Sequence, residues 1–198
     1  MKAAGLHAIQ PRSFVPRTTD SRHGKGYWPN LVLNQPMPTA PNLLWVSDIT
    51  YLPLVNGEWA YLGSWMDLFS RRIVGWRVDD NMEDELVLLP LRTALQARQP
   101  TSGLIVHSDR GGQYISKEVQ ELVNLWRIRP SMSRADDPYD NAFAESFWSR
   151  LKAELLEGGC FLSVDDARTE VFERSAAAVH RMLLQSSAKT LVAGLQKP

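Results

Sequence analysis

Cysteine, histidine and long apolar runs are all scarce in this chain. A single cysteine, Cys160, excludes an internal disulfide and fits a reducing compartment. His7, His23 and His180 do not combine with Cys160 into the spacing of a zinc site. No apolar run approaches membrane-spanning length, and Met1 to Gln10 lacks the apolar centre of a signal peptide. The expectation is a soluble, intracellular protein that does not engage a membrane. Internal repeats are also missing. Net charge is zero, with 22 Lys and Arg against 22 Asp and Glu.

That balance hides an uneven distribution. Residues 1–40 carry five Lys or Arg and one acid, and residues 174–198 carry four bases and no acid. The middle, 41–173, holds thirteen bases and twenty-one acids. Basic flanks on an acidic centre either offer a surface for a phosphate backbone or are simply solvated. What the chain does have is apolar bulk: 44% hydrophobic residues and seven tryptophans in 198 residues, enough for one domain with an aromatic core.

Residues 1–40 read as a basic, Pro-rich arm, because Pro11, Pro16, Pro29, Pro36 and Pro38 with Gly24 and Gly26 interrupt any regular element. From Leu43 the pattern changes. Leu43 to Val55 is rich in Trp, Val, Ile, Thr and Tyr and reads as a strand. Asn56-Gly57 is a hairpin signal, so Glu58 to Phe69 returns antiparallel. A turn at Ser70-Arg71 leads to a third strand, Arg72 to Val78. Glu83 to Ala97 has helical periodicity with Pro90 inside it, a kink site. Gly103 to Ser108 is a buried strand followed by a Gly-Gly turn. Lys117 to Trp126 is an amphipathic helix, and Ile128 to Ser133 a short strand. Arg134 to Asp140 is a loop. Asn141 to Leu156 and Val164 to Val179 are helices. A meander followed by alternating strands and helices predicts an α/β domain over 41–173: a mixed five-stranded sheet flanked by helices. Residues 174–198 form a basic tail.

Three acids fall where this order would gather them. Asp48 lies mid-strand in Trp45-Val46-Ser47-Asp48-Ile49-Thr50-Tyr51. Asp109 ends the run Leu104-Ile105-Val106-His107-Ser108-Asp109. Glu145, with thirty-five residues between it and Asp109, lies in the first turns of a helix. Asp48 and Asp109 sit in otherwise apolar strands, where a carboxylate is costly without a partner. Carboxylates converging from different elements are what two Mg²⁺ ions need to clamp a phosphodiester. Asp48 would bridge both ions, with Asp109 and Glu145 binding one each. The same three acids also have the ordinary reading of solvated residues near strand ends.

The neighbouring groups suit DNA. Arg110, Gln113 and Tyr114, with Gly111 and Gly112, combine a cation, an amide, an aromatic and exposed backbone amides. A plain strand-to-helix turn is the alternative. Lys152, two helical turns after Glu145, stands on the same face and is either a DNA anchor or a solvated lysine. Asn141 reads as a helix cap. Trp148 is a core or base-stacking residue, and His107 a packed residue or a base.

These segments, together with Met66-Asp67-Leu68-Phe69-Ser70-Arg71-Arg72-Ile73-Val74-Gly75-Trp76, Asp140-Asn141-Ala142-Phe143-Ala144-Glu145-Ser146-Phe147 and Leu151-Lys152, closely resemble the catalytic core of bacterial insertion-sequence transposases, of the retroviral-integrase superfamily. The resemblance covers about residues 40–173. It implies an RNase H-like fold, an Asp48–Asp109–Glu145 triad that is catalytic and binds metal, and dependence on Mg²⁺ or Mn²⁺, with two ions. It implies DNA as partner (element ends and target), a homo-oligomer assembled with DNA, and a cytoplasmic, nucleoid-associated location. Lys152 matches the family's basic residue two turns after its Glu. Two stretches depart from the pattern. Met1 to Leu6 resembles only the tail of an upstream DNA-binding region, so residues 1–40 read as its remnant. After Glu173 the Tyr-Asn…His-Ser…Leu-Gly-Tyr stretch usual in the family is replaced by Arg174-Ser175-Ala176-Ala177-Ala178, which points to a reading-frame change; other frames downstream of codon 173 lacking that stretch would rule it out. The expected activity is cleavage and transfer of DNA strands. The alternatives are a silent remnant that binds DNA or an intact subunit, and a nuclease that cuts without joining.

Overall fold

The computed structural model describes residues 26–33, 35–134 and 159–173. Strands β1 (Leu44–Pro53), β2 (Trp59–Asp67) and β3 (Arg72–Asp79) form the meander, and helix α1 (Glu85–Arg98) follows. Strand β4 (Ile105–Ser108), a single 3-10 turn (Gly112–Ile115), helix α2 (Lys117–Leu125) and strand β5 (Arg129–Met132) complete the series. Residues 164–173 are helical. The sheet order is β3-β2-β1-β4-β5. β1 is antiparallel to β2 and parallel to β4, and β4 is parallel to β5. The five-stranded mixed sheet expected from the sequence is therefore present, with each boundary within a few residues. The predicted helix Asn141 to Leu156, and residues 174–179 of the last one, lie outside the described residues.

Each turn has a local cause. At Asn56-Gly57 the chain needs a left-handed residue, and Gly57 supplies φ +84°. At the β2–β3 turn the cause is Asp67, fully buried, whose carboxylate accepts from the N–H and hydroxyl of Ser70 (2.7 Å each) and from the N–H of Asn42. One side chain thus holds both that turn and the entry to β1. Among the described residues, the 3-10 turn after β4 is the one element the sequence left as loop. Ser116 then caps α2, accepting from Val119 N–H.

Alternation along β1 divides the core in two. Trp45 and Ile49 pack with Trp65, α1, α2 and Tyr114 on one face. Leu44, Val46, Leu52 and Leu54 pack with Met66, Phe161, Ala167 and Val171 on the other. α1 lies on its face unusually closely. Pro90 has no N–H to give the carbonyl four residues earlier, that of Leu86, and this carbonyl comes down over Gly63. A Cβ on Gly63 would meet it at 2.4 Å, and one on Gly75 would meet the Pro90 carbonyl at 2.2 Å. The Trp65 indole N–H donates to the next carbonyl, Val87 (2.9 Å). The predicted kink site is thus the docking point of the helix.

The end of the predicted arm is part of this body. Trp28 packs on the α1–α2 face and Val32 on the opposite one. Leu31 N–H donates to Ser131 Oγ of edge strand β5 (2.8 Å).

Candidate active site

Parallel pairing of β1 and β4 runs toward the two central acids. The last register partners of β1 and β4 are Val46 and His107. Asp48 and Asp109 each lie two residues further on, so the same register, continued, brings them abreast. Alternation puts Asp48 on the face of Leu44 and Val46. Both carboxylates are half-buried. Asp109 Oδ1 accepts the N–H of Gly111 (3.0 Å), which closes the turn behind it. A Cβ at Gly111 would stand 3.2 Å from that oxygen and 2.9 Å from Gln113 Oε1, so a larger residue here would push on both side chains.

Beneath the acids lies Tyr114. Its hydroxyl is 2.9 Å from Ser47 Oγ, whose own proton goes to the Ser64 carbonyl (2.8 Å). Ser47 therefore accepts and the phenol donates. Burial holds the phenol well above its usual range, and the charges of Asp109 and then Asp48 push it further. Both carboxylates thus act on one buried hydroxyl. The ring packs edge-on against Trp65, 5.8 Å between centroids. This corrects the DNA-contact expectation for Tyr114: at 3% exposure it is a core residue.

Arg110 and Gln113 are half-buried and held by protein. Arg110 Nε donates to the Ser133 carbonyl (2.9 Å), and its guanidinium lies 4.6 Å from the centroid of the Tyr27 ring. Gln113 Nε2 donates to the Met82 carbonyl (3.0 Å). His107, 1% exposed, is the packed residue of the two readings: Nδ1 meets Ser131 Oγ at 2.8 Å and Nε2 meets Ser133 Oγ at 3.2 Å, tying β4 to the chain at β5. Glu145, Lys152, Asn141 and Trp148 lie outside the described residues. Among the described residues no group of three His, Cys, Asp or Glu could hold a metal. Asp48 and Asp109 are the two predicted ligands brought together. Their oxygens, with the buried Oε1 of Gln113, which has no partner among the described residues, are hard donors that fit Mg²⁺ or Mn²⁺ better than zinc.

Sequence reasoning missed Tyr27, Ser47, Ser131 and Ser133, small or distant groups without a motif of their own. It also missed the steric role of Gly111, which the Asp-x-Gly spacing of a tight turn could have signalled.

This geometry agrees with the comparisons. An integrase core domain model matches residues 38–138, and a second model of that description matches 126–176. The chain belongs to the integrase core domain family. This integrase core is similar to the transposase for insertion sequence element IS904 of Lactococcus lactis, at 41% identity over 145 residues. That match covers 73% of the chain and 57% of the transposase, so the chain spans less than two thirds of its relative. Among solved structures it is similar to the simian T-cell lymphotropic virus intasome, with TM-score 0.58 and 19% identity over 79% of this chain and 54% of that one. It is also similar to the HTLV-2 integrase catalytic core in complex with magnesium, trimeric form, with TM-score 0.51 and 20% identity over 65% of this chain and 81% of that one. The integrase core thus has the RNase H-like fold expected from its motifs. No helix among its described residues is long and apolar enough to cross a membrane.

Proposed function

We propose that this integrase core is the catalytic part of an insertion-sequence transposase, which cleaves DNA and transfers the freed 3′ end to a target strand. The observation that carries the reading is the parallel register of β1 and β4, which ends two residues before Asp48 and Asp109 on both strands. Such a pair of carboxylates is unfavourable unless cations join it. Two Mg²⁺ or Mn²⁺ ions on Asp48, Asp109 and Glu145 would supply activation of the attacking oxygen and stabilisation of charge on the phosphate. The chain's own part is positioning. Asp48 is held by its pairing with Ser64 of β2, and Asp109 by the Gly111 turn. Glu145 completes the triad. Lys152 and Arg110 line the path of the DNA backbone, Arg110 with whatever of its guanidinium the Tyr27 and Ser133 contacts leave available. The protein works on element ends and target as a homo-oligomer with DNA, in the cytoplasm at the nucleoid. That the HTLV-2 core is described as trimeric and magnesium-bound supports the metal and the multimer.

Nicking of supercoiled plasmid by the folded chain, with Mg²⁺ or Mn²⁺, tests the reading. Asp109→Asn and Glu145→Gln should each lose nicking, by about 10³-fold or more, with circular dichroism unchanged. Nicking that survives Asp109→Asn removes that residue from the site. A folded wild-type chain that never nicks favours the silent remnant. Cleavage without joining, at high concentrations of DNA ends, favours the nuclease.

A further inference from the structure

Gln113 was expected to touch DNA, yet its carboxamide is aimed elsewhere. Nε2 donates to the Met82 carbonyl at 3.0 Å. That bond orients the amide, because turning it over would set Oε1 against another carbonyl oxygen. Oε1 then points to the Asp109 side, where it is buried and has no hydrogen-bond partner among the described residues. A single point beside Gly111, the place of a missing Cβ, is 2.9 Å from Gln113 Oε1 and 3.2 Å from Asp109 Oδ1. The two oxygens therefore lie on the same side of Gly111, where Asp109 Oδ1 already accepts the Gly111 N–H and Gln113 Oε1 has no donor among the described residues. Leaving a buried acceptor unmet is costly. Gln113 Oε1 calls for a small donor on the Asp109 side.

We infer that Gln113 Oε1 accepts a hydrogen bond from a water bound to the metal ion that Asp109 ligates, which makes Gln113 a positioning residue for that ion. The inference rests on the metal reading proposed above. A hydrated Mg²⁺ keeps several waters and takes few protein ligands. Its waters are strong donors, and outer-sphere acceptors set both their orientation and the ion's affinity. Gln113 would serve the metal first, and DNA through it.

The test uses the whole chain without DNA. The wild-type protein is titrated with Mg²⁺ while the backbone amides of Asp48, Asp109 and Gly111 and the side-chain amide of Gln113 are followed by NMR. The Gln113 side-chain signal should shift with the same midpoint as the Asp109 and Gly111 amides. Gln113→Met, which keeps the volume and removes the acceptor, should weaken Mg²⁺ binding by calorimetry about 10-fold or more. Backbone shifts at Asp109 with a silent Gln113 side chain would overturn the inference and leave the metal reading intact. No shift anywhere would overturn both. The wild-type titration decides even if Gln113→Met fails to fold.

Discussion

The ring of Tyr27 lies against the guanidinium of Arg110, 4.6 Å from its centroid, although 82 residues separate them in sequence. Arg110 follows Asp109 directly, so a residue from the expected arm braces the loop carrying a candidate metal ligand. Tyr27→Ala should cost about 0.5–1 kcal/mol of stability, the range of a cation–π contact near the surface. It should also slow Mg²⁺-dependent nicking a few-fold. Tyr27→Phe keeps the ring face and should restore both, as read by thermal unfolding and the plasmid assay.

Gly63→Ala and Gly75→Ala should each destabilise the fold strongly. The added methyl would sit 2.4 Å from the Leu86 carbonyl or 2.2 Å from that of Pro90, atoms of helix backbone that can move only if α1 lifts from the sheet. Overpacking of this kind costs about 1–3 kcal/mol or more. Urea unfolding should show midpoints lowered in proportion. Gly103→Ala is the comparison: its φ is +98° but nothing lies within 4 Å of its Cβ position, so only backbone strain remains and the loss should be smaller.

Tyr114 makes stability depend on alkaline pH. Its folded pKa is raised, by burial first and then by Asp109 and Asp48, above the unfolded value of 10.0. The unfolded phenol therefore ionises first. The contribution is fully present below pH 10 and is lost as pH rises through the folded value. Denaturation midpoints measured from pH 8 to 11 should fall more steeply in the wild type than in Tyr114→Phe. Equal slopes would mean that the phenol is not held protonated.

Two kinds of buried acid should respond oppositely to removal of charge. Asp67 is satisfied by three donors, and Asp67→Ala should cost about 2–4 kcal/mol by leaving those donors unmet. Asp48 stands beside Asp109, and without metal the two repel. Asp48→Asn should leave stability equal or raised by up to about 1 kcal/mol at low salt. Adding Mg²⁺ should raise the melting temperature of the wild type and not of the variant. A strongly destabilised Asp48→Asn would make Asp48 a structural acid.

Much of this molecule is local and was legible. Period-two runs of Trp, Val and Ile, the Asn56-Gly57 turn, and helical runs from Glu83 and Lys117 are read from neighbouring residues, because strand, turn and helix are set by short-range sterics and by which face must be buried. Asp48 and Asp109 stood out for the same reason: a charge inside an apolar strand is an anomaly that sequence alone displays. The 3-10 turn, the bracing of Arg110 by Tyr27, the burial of Tyr114 and the orientation of Gln113 were decided by tertiary structure. A tyrosine after two glycines looks like a surface residue until the turn swings it beneath β1 to Ser47. The pairing of β1 with β4 joins segments some sixty residues apart, and only that register makes two separate anomalies one candidate site, since two carboxylates can act on a common ion only when their strands are held abreast.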